Sequence, residues 1–359
     1  KALLEDYERY PFEDKLESEV FEIQCDLLQE AGKVSIAMDN YEEAKQYFLQ
    51  GLKIAEKLKD KELFVSIFLN LSLISFIQGD YTSAEEYVEK NLEIAQEFGN
   101  EDMGARSFGL LGAFSLAQRN YNKAVVFFKK SLEIRKELED KESIALALNS
   151  LGRLAKIQKK YTEARSFLEQ SLKINEEIGE KGGIVDNLLE LSDLAKSQGN
   201  IDKATHKIEE AQAISNELKD RRITAKVLEK QGSLAEAQGD YHLAQKYYEA
   251  SLGIYEQLRD KFNIASIYVN LGSLAEDFGD YEEAKRCYKD SLKISEEIGS
   301  KNEIALSQVF LGELYLKTED FNKAERHFLD ALEIFESLGD SGMVKGMHQY
   351  LEQIRNKNN

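Results

Sequence analysis

Apolar residues recur along this chain at two nested spacings. Between Lys261 and Ser300, the residues Ile264, Ile267, Tyr268, Leu271, Leu274 and Ala275 stand three and four apart, the stripe of an amphipathic helix. Gly279 and Asp280 interrupt it: glycine accepts the left-handed backbone after a helix, and aspartate accepts bonds from the free amides of the next. A second one-sided run follows through Tyr281, Ala284, Tyr288, Ser291, Leu292, Ile294 and Ile298, and Gly299 with Ser300 repeats the stop and start. The pattern predicts two antiparallel helices of about 17 residues, each roughly 26 Å long.

The same forty-residue pattern is legible eight times. The residue after each inner turn is Tyr41, Tyr81, Tyr121, Tyr161, Ile201, Tyr241, Tyr281 or Phe321, and three positions on stands Ala44, Ala84, Ala124, Ala164, Ala204, Ala244, Ala284 or Ala324. Ten further on, isoleucine recurs from Ile54 to Ile334 without a slip. An uninterrupted period in the range of about 20 to 50 residues marks a solenoid, whose units bury their apolar faces only against one another. The expected fold class is therefore all-α, eight helix-turn-helix units followed by a terminal helix.

The residues of the unit carry a resemblance to the tetratricopeptide repeat. A leucine-glycine pair in the first helix (helix A), then alanine, an aromatic residue and alanine or serine in the second (helix B), reads here as Leu271, Gly272, Ala284, Tyr288 and Ser291. The fourth unit has Leu151, Gly152, Ala164, Leu168 and Ser171, and the eighth Leu311, Gly312, Ala324, Phe328 and Ala331. The family's usual repeat is about 34 residues long with a proline near its end, whereas this one is longer and lacks that proline. It is similar to the long-helix variety of kinesin light chains, Rap-type peptide-responsive regulators and the sensor arms of STAND ATPases. The resemblance implies a right-handed α-solenoid superhelix.

The expected organisation is an N-terminal extension over residues 1–15, eight units over 16–338 and a capping helix over 341–356. Pro11 marks the first boundary, and Leu3, Leu4, Tyr7, Tyr10 and Phe12 are expected to pack onto the first unit or to end a preceding domain. In the last segment Val344, Met347, Leu351 and Ile354 share a face and leave a polar outer side, with Asn356 to Asn359 as a frayed tail. The fourth unit departs in capping, with Lys159 and Lys160 at its inner turn. The fifth opens on Gly182 and Gly183, which makes Lys181 to Glu210 the expected soft point.

Composition narrows the function. With 47 basic against 66 acidic side chains the formal charge is −19, which repels nucleic acid and anionic membranes at long range. No apolar run approaches the ~18 residues of a membrane span. Cys25 and Cys287 lie too many units apart to bridge, and two reduced thiols suit a cytoplasmic location. Cys287 replaces an aromatic residue of other units, so it is expected to pack. The chain has no phosphate-binding glycine loop, and His206, His242, His327 and His348 lack metal-ligand spacing and are expected mostly at the surface. Paired glutamates such as Glu282 and Glu283 recur at helix starts, where they suit the dipole. A non-enzymatic protein without cofactor or metal is expected.

Recognition should then lie where the units differ. By the resemblance, the exposed side of helix A lines a concave groove for a peptide or helix of a partner protein. By position it offers Leu69, Asn70, Leu73 and Ile77 in the second unit, Arg106 and Leu110 in the third, and Leu146, Asn149 and Arg153 in the fourth. Asparagine amides match a peptide backbone and arginine grips a carboxylate, although Leu69, Leu73 and Ile77 in the second unit suit packing equally well. Asp186, Glu190 and Asp193 make the fifth unit acidic, while Lys226 and Lys230 reverse the sign in the sixth, a pattern that neighbour pairing explains as well as ligand binding does. The expected function is a protein-interaction scaffold. The alternative is a ligand-sensing arm of a larger switch, such as a STAND ATPase or a peptide-responsive regulator.

Overall fold

A computed structural model of the chain describes residues 10–38 and 40–358. Among them are seventeen α-helices and no strand. The first four are α1 (Tyr10–Ala37), α2 (Tyr41–Leu58), α3 (Lys61–Ile77) and α4 (Tyr81–Phe98). Then come α5 (Glu101–Ala117), α6 (Tyr121–Glu137), α7 (Lys141–Ile157), α8 (Tyr161–Ile178), α9 (Lys181–Ser197) and α10 (Ile201–Leu218). The series ends with α11 (Arg221–Ala237), α12 (Tyr241–Leu258), α13 (Lys261–Phe278), α14 (Tyr281–Ile298), α15 (Lys301–Lys317), α16 (Phe321–Leu338) and α17 (Ser341–Asn358). Odd-numbered helices from α1 to α15 are the A helices and even-numbered ones the B helices. Within each unit A helices pack on their own B, as α3 does on α4 and α13 on α14, and B helices pack on the next A, as α2 does on α3, α6 on α7 and α14 on α15. The fold is an all-α solenoid.

The helix ends are set as the joints predicted. Asp280 accepts the Glu283 amide at 3.0 Å, and Gly279 before it stands at φ +77°. At the fourth inner turn Lys160 gives no side-chain cap and Lys159 takes the left-handed conformation itself, yet α8 starts in register. The first boundary differs from expectation. Pro11 lies within α1 rather than before it, because in a first turn the missing N–H has no intrahelical partner to lose. The residues before Tyr10, including Leu3, Leu4 and Tyr7, lie outside those described. At the other end α17 continues to Asn358, through the segment expected to fray.

The chain divides into two compact units, Lys1–Met103 and Gly104–Asn359. The division falls inside α5. In unit 1 the core gathers Phe48, Ile54, Ile67, Leu71 and Ile74 around the buried thiol of Cys25. In unit 2 one core cluster joins Val185, Leu188 and Leu189 to Ile208 and Val227, and another joins Tyr248 and Tyr255 to Ile264, Ile267 and Leu274.

What recurs at the A–B crossing explains the invariant small residues. Gly272 faces the ring of the buried Tyr288, and a Cβ there would fall 2.4–3.0 Å from three ring carbons. Gly232 meets Tyr248 and Gly312 meets Phe328 the same way. One turn further along helix B, serine hydroxyls donate across the crossing to helix A carbonyls: Ser131 to Ala105 at 2.7 Å, Ser171 to Ala145 at 2.6 Å and Ser251 to Ala225 at 2.8 Å.

The fifth repeat is regular despite its two glycines. Asn187 accepts from Ser171 at 3.2 Å and from Asn175 at 2.8 Å, and Gly183 leaves the space that the Asn175 carboxamide fills. Overpacking at a crossing has no relief, since the ring opposite is itself enclosed. Gly272→Ala should therefore destabilise the chain by about 1–3 kcal/mol, read as a lower thermal unfolding midpoint by circular dichroism. An unchanged midpoint would show that the crossing is looser than its geometry.

Candidate functional site

In unit 2 the A helices form the inner row, since α7, α9 and α11 approach one another directly as well as contacting their own B helices. Their outward-turned side chains are therefore the lining. On α7, Leu146, Arg153 and Ile157 are exposed, Leu146 by 69%, and Asn149 is half-buried. On α5, Arg106, Ala113 and Ala117 are exposed and Leu110 is half-buried. Of these residues, Leu146, Ile157, Arg106 and Arg153 are thus exposed, and Leu110 is half-buried.

Unit 1, taken by itself, treats its four expected residues differently. On α3, Leu73 is exposed, while Leu69, Asn70 and Ile77 are half-buried. The Asn70 amide donates to the carbonyl of Ser66 on its own helix at 2.8 Å, and the Ser66 hydroxyl donates to Gln29 at 2.6 Å. That amide is engaged with its own helix rather than turned toward a ligand.

Along the inner row of unit 2 runs a band of alternating charge. Lys156 of α7 meets Glu190 of α9 at 2.6 Å, and Arg153 meets the same carboxylate at 3.2 Å. Asp193 of α9 is held by Lys230 of α11 at 2.7 Å, with Lys156 at 3.6 Å and Lys196 at 3.9 Å. Lys226 reaches Asp186 at 2.6 Å, and Lys196 also donates to the Ser233 hydroxyl at 2.5 Å. Neighbour pairing thus accounts for the middle repeats, and it takes in Arg153, which the sequence placed among groove residues.

The protonation of these groups follows from their crowding. Burial pushes the Asp193 carboxyl up, but Lys230, Lys156 and Lys196 outweigh it and hold that carboxyl below its ordinary value. Burial works against the Lys230 ammonium, and the Asp193 carboxylate reverses this, so Lys230 lies above the usual lysine range. Lys196 is lowered, chiefly by burial. Glu229, on the same inner row and bonded to Asn270, is raised by burial.

Two features lie away from this row. A cavity of about 450 Å³ opens among α12, α13 and α14, lined by His242, Tyr268, Phe278, Arg286 and Cys287. Arg286 already clasps Glu283 through two N–H groups, one at 2.8 Å, and burial pushes the Cys287 thiol up to about 12, well away from thiolate chemistry. The repeat pattern did not mark this hollow, although Cys287 on its wall stands where other repeats carry an aromatic residue. His327, expected at the surface, is half-buried. Its ring lies 5.3 Å from that of Tyr315 and its Nδ1 lies 2.5 Å from Gln308. Among the described residues no cluster of histidine, cysteine and carboxylate has the makings of a metal site.

A family profile described as tetratricopeptide repeat matches residues 105–177, 185–257 and 263–337, and a second of the same description matches 26–58. The chain belongs to the tetratricopeptide repeat family. No curated protein matches it in sequence. Among solved structures it is similar to a Rap protein complexed with competence and sporulation factor, at 17% identity and TM-score 0.58, over 95% of this chain and 98% of that one. It is also similar to the Rap conjugation gene regulator of plasmid pLS20 in complex with its Phr peptide, at 15% identity and TM-score 0.60, over 82% and 78% of the two chains. A third is a STAND protein with a tetratricopeptide repeat sensor from Pyrococcus horikoshii, at 18% identity and TM-score 0.51, over 88% of this chain and 50% of that one. At these identities the likeness is one of fold. Tetratricopeptide repeats are protein-interaction scaffolds, and no described helix of this one is long and apolar enough to cross a membrane.

The sign of the Asp193 effect can be checked. A carboxylate held below its ordinary value contributes stability that is present above the unfolded value near 3.8 and is lost as pH falls through the lower folded one. Asp193→Asn should cost about 2 kcal/mol at neutral pH, where it leaves lysines without their partner, and should flatten the acid limb below about pH 4. Urea unfolding at a series of pH values measures both. An acid limb as steep as that of the parent would mean that other carboxylates carry it.

Proposed function

We propose that unit 2 binds an extended peptide segment of a partner protein along its inner row of A helices. The observation that carries this reading is the exposure of Leu146 and Ile157 on α7, whose inner-row neighbours α9 and α11 present charged side chains that are already paired. Leu146 is the most exposed large apolar side chain of the described residues, and it takes no part in the stacking of its own repeat. Leu146 and Ile157 stand about three turns apart on α7, so separate apolar side chains of an extended peptide would cover them. A peptide carboxylate would compete with Glu190 for Arg153, the more exposed of that carboxylate's two cations. The occupied band penalises a ligand without suitable charge, which favours specificity over raw affinity.

The reading agrees with the Phr peptide named for the pLS20 regulator, which has the same fold. Selection of random peptides on the whole chain should return sequences with an apolar anchor close to an acidic group or C-terminus. Leu146→Glu should weaken the selected peptides by tenfold or more, and Arg153→Ala by three- to tenfold, with helicity unchanged. Selected peptides indifferent to both changes would remove this site.

A regulatory-arm reading is favoured by a different observation. Arg119 Nε, at the α5–α6 turn, lies 2.9 Å from Asp340 Oδ2 at the start of α17. Two joints 221 positions apart within unit 2 are thus held together by an ion pair whose carboxylate is buried and whose arginine is half-exposed. A ligand that changes the curvature of the inner row would make or break that pair. Arg119→Glu should lengthen the distance between spin labels placed at exposed Asn120 and Ser341, and binding of a selected peptide should shift the same distance in the parent chain. A distance insensitive to both would leave the simple scaffold.

A further inference from the structure

The two ends of the repeat pattern are finished differently. α17 buries Met347, Leu351 and Ile354 and turns Lys345, Gln349, Gln353 and Arg355 outward, which closes its end with a polar face. α1 does the reverse. Its inner side holds Phe21, Cys25 and Leu28 in the unit 1 core, while Val20, Ile23, Leu27, Val34 and Met38 form an exposed stripe along its opposite side.

Two members of that stripe stand where every later repeat is buried. Leu27 corresponds to Ile67, Ser107, Ala147, Asn187, Val227, Ile267 and Ser307, none more than 7% exposed, yet it is 66% exposed itself. Val34 corresponds to Ile74, Phe114, Leu154, Leu194, Leu234, Leu274 and Leu314, none above 6%, and it is 57% exposed. What covers the later positions is the preceding helix B. Gly51 of α2 lies against Ile67, the Ser171 hydroxyl of α8 bonds Asn187 at 3.2 Å, and that of Ser291 of α14 meets Ser307 at 3.1 Å.

We propose that this face of α1, left exposed among the described residues, is a copy of the stacking interface and that it docks a basic amphipathic helix of a partner protein. The register sets the shape: a helix whose small residue crosses over Leu27, as Gly51, Ser171 and Ser291 cross over its counterparts. The edge of the stripe sets the charge. Glu19, Asp26 and Glu30 are exposed along one side of it, and Lys33, close to them, already pairs with Glu30 at 2.7 Å. A second copy of this chain, with a formal charge of −19, would bring more of the same sign. The site is separate from the inner row and does not depend on it.

A probe of the right chemistry exists within the chain. Residues 121–137 form a helix B that carries Lys123, Lys129, Lys130, Arg135 and Lys136 against Glu133 and Glu137. A fluorescent, staple-stabilised peptide of this sequence should bind the whole chain saturably, and its affinity should fall as salt is raised. Leu27→Glu and Val34→Glu should each weaken binding at least tenfold, with an unchanged far-ultraviolet spectrum because both side chains face solvent. Glu19→Lys with Asp26→Lys leaves the stripe intact and should weaken binding three- to tenfold. A peptide with its five bases changed to glutamate should not bind. The proposal is overturned if the basic peptide fails to saturate, if the reversed peptide binds equally, or if the α1 variants bind as the parent does. A concentration-dependent dimer abolished by Leu27→Glu would also overturn it, by giving the face to a second copy.

Discussion

The crossing of helix A over its own helix B governs the molecule. Gly272 against Tyr288 brings the two backbones as close as a ring allows, and the serine one turn on anchors the pair through a helix A carbonyl, as Ser251 does with Ala225. Neither contact tolerates a longer or shorter spacing, because a shifted ring would meet a Cβ in place of the glycine. The forty-residue period is the trace of that contact in sequence. Once it is satisfied, the A and B stripes of each repeat are committed to stacking, and most of the remaining variation falls on the inner row, the two ends and single helix B positions such as Cys287.

On the inner row, variation has been used to set charge. α7 contributes cations, α9 anions and α11 cations again, so each helix is matched to the next at Lys156–Glu190 and Lys230–Asp193. Half-buried pairs of this kind contribute little net stability over an apolar replacement, but losing one partner is costly. They therefore discriminate more than they stabilise. Such a band favours the native neighbour order of repeats that are otherwise nearly interchangeable, and it confronts a ligand with a fixed pattern of sign.

Much of this was legible in the chain, because repetition reports packing directly. The register of all eight turns was read from the recurring aromatic, alanine and isoleucine positions, the joints from pairs such as Gly279 and Asp280, and the crossing from Gly272, Tyr288 and Ser291, and the helices fall where that register placed them. Single-copy features were less legible. Arg153 looked free because its partner Glu190 belongs to the next repeat, and periodicity does not say whether facing charges meet or point past one another. Asn70 looked like a peptide-binding amide but bonds its own helix. Gly183 looked like a weakness, and its reason is the Asn175 carboxamide eight positions earlier. The Arg119–Asp340 pair joins residues whose separation is no multiple of any local spacing, so only the accumulated rotation of the repeats in unit 2 brings them together.

The ends show where this logic stops being self-sufficient. A solenoid repeat is stable because a neighbour lies on either side, so each terminal helix must be finished by other means. At α17 polar residues take the outer face and the buried ones point inward, which is a complete solution. At α1 the outer face keeps leucine and valine at positions that the pattern buries seven times over, and solvation of that stripe forfeits roughly 1.5–3 kcal/mol for each large apolar side chain left uncovered. A surface carrying such a cost on one end and not on the other is asymmetric in what it can accept. A helix stacking on α1 would meet leucine and valine, one stacking on α17 would meet a polar face, and the acidic edge of α1 restricts which helices suit it.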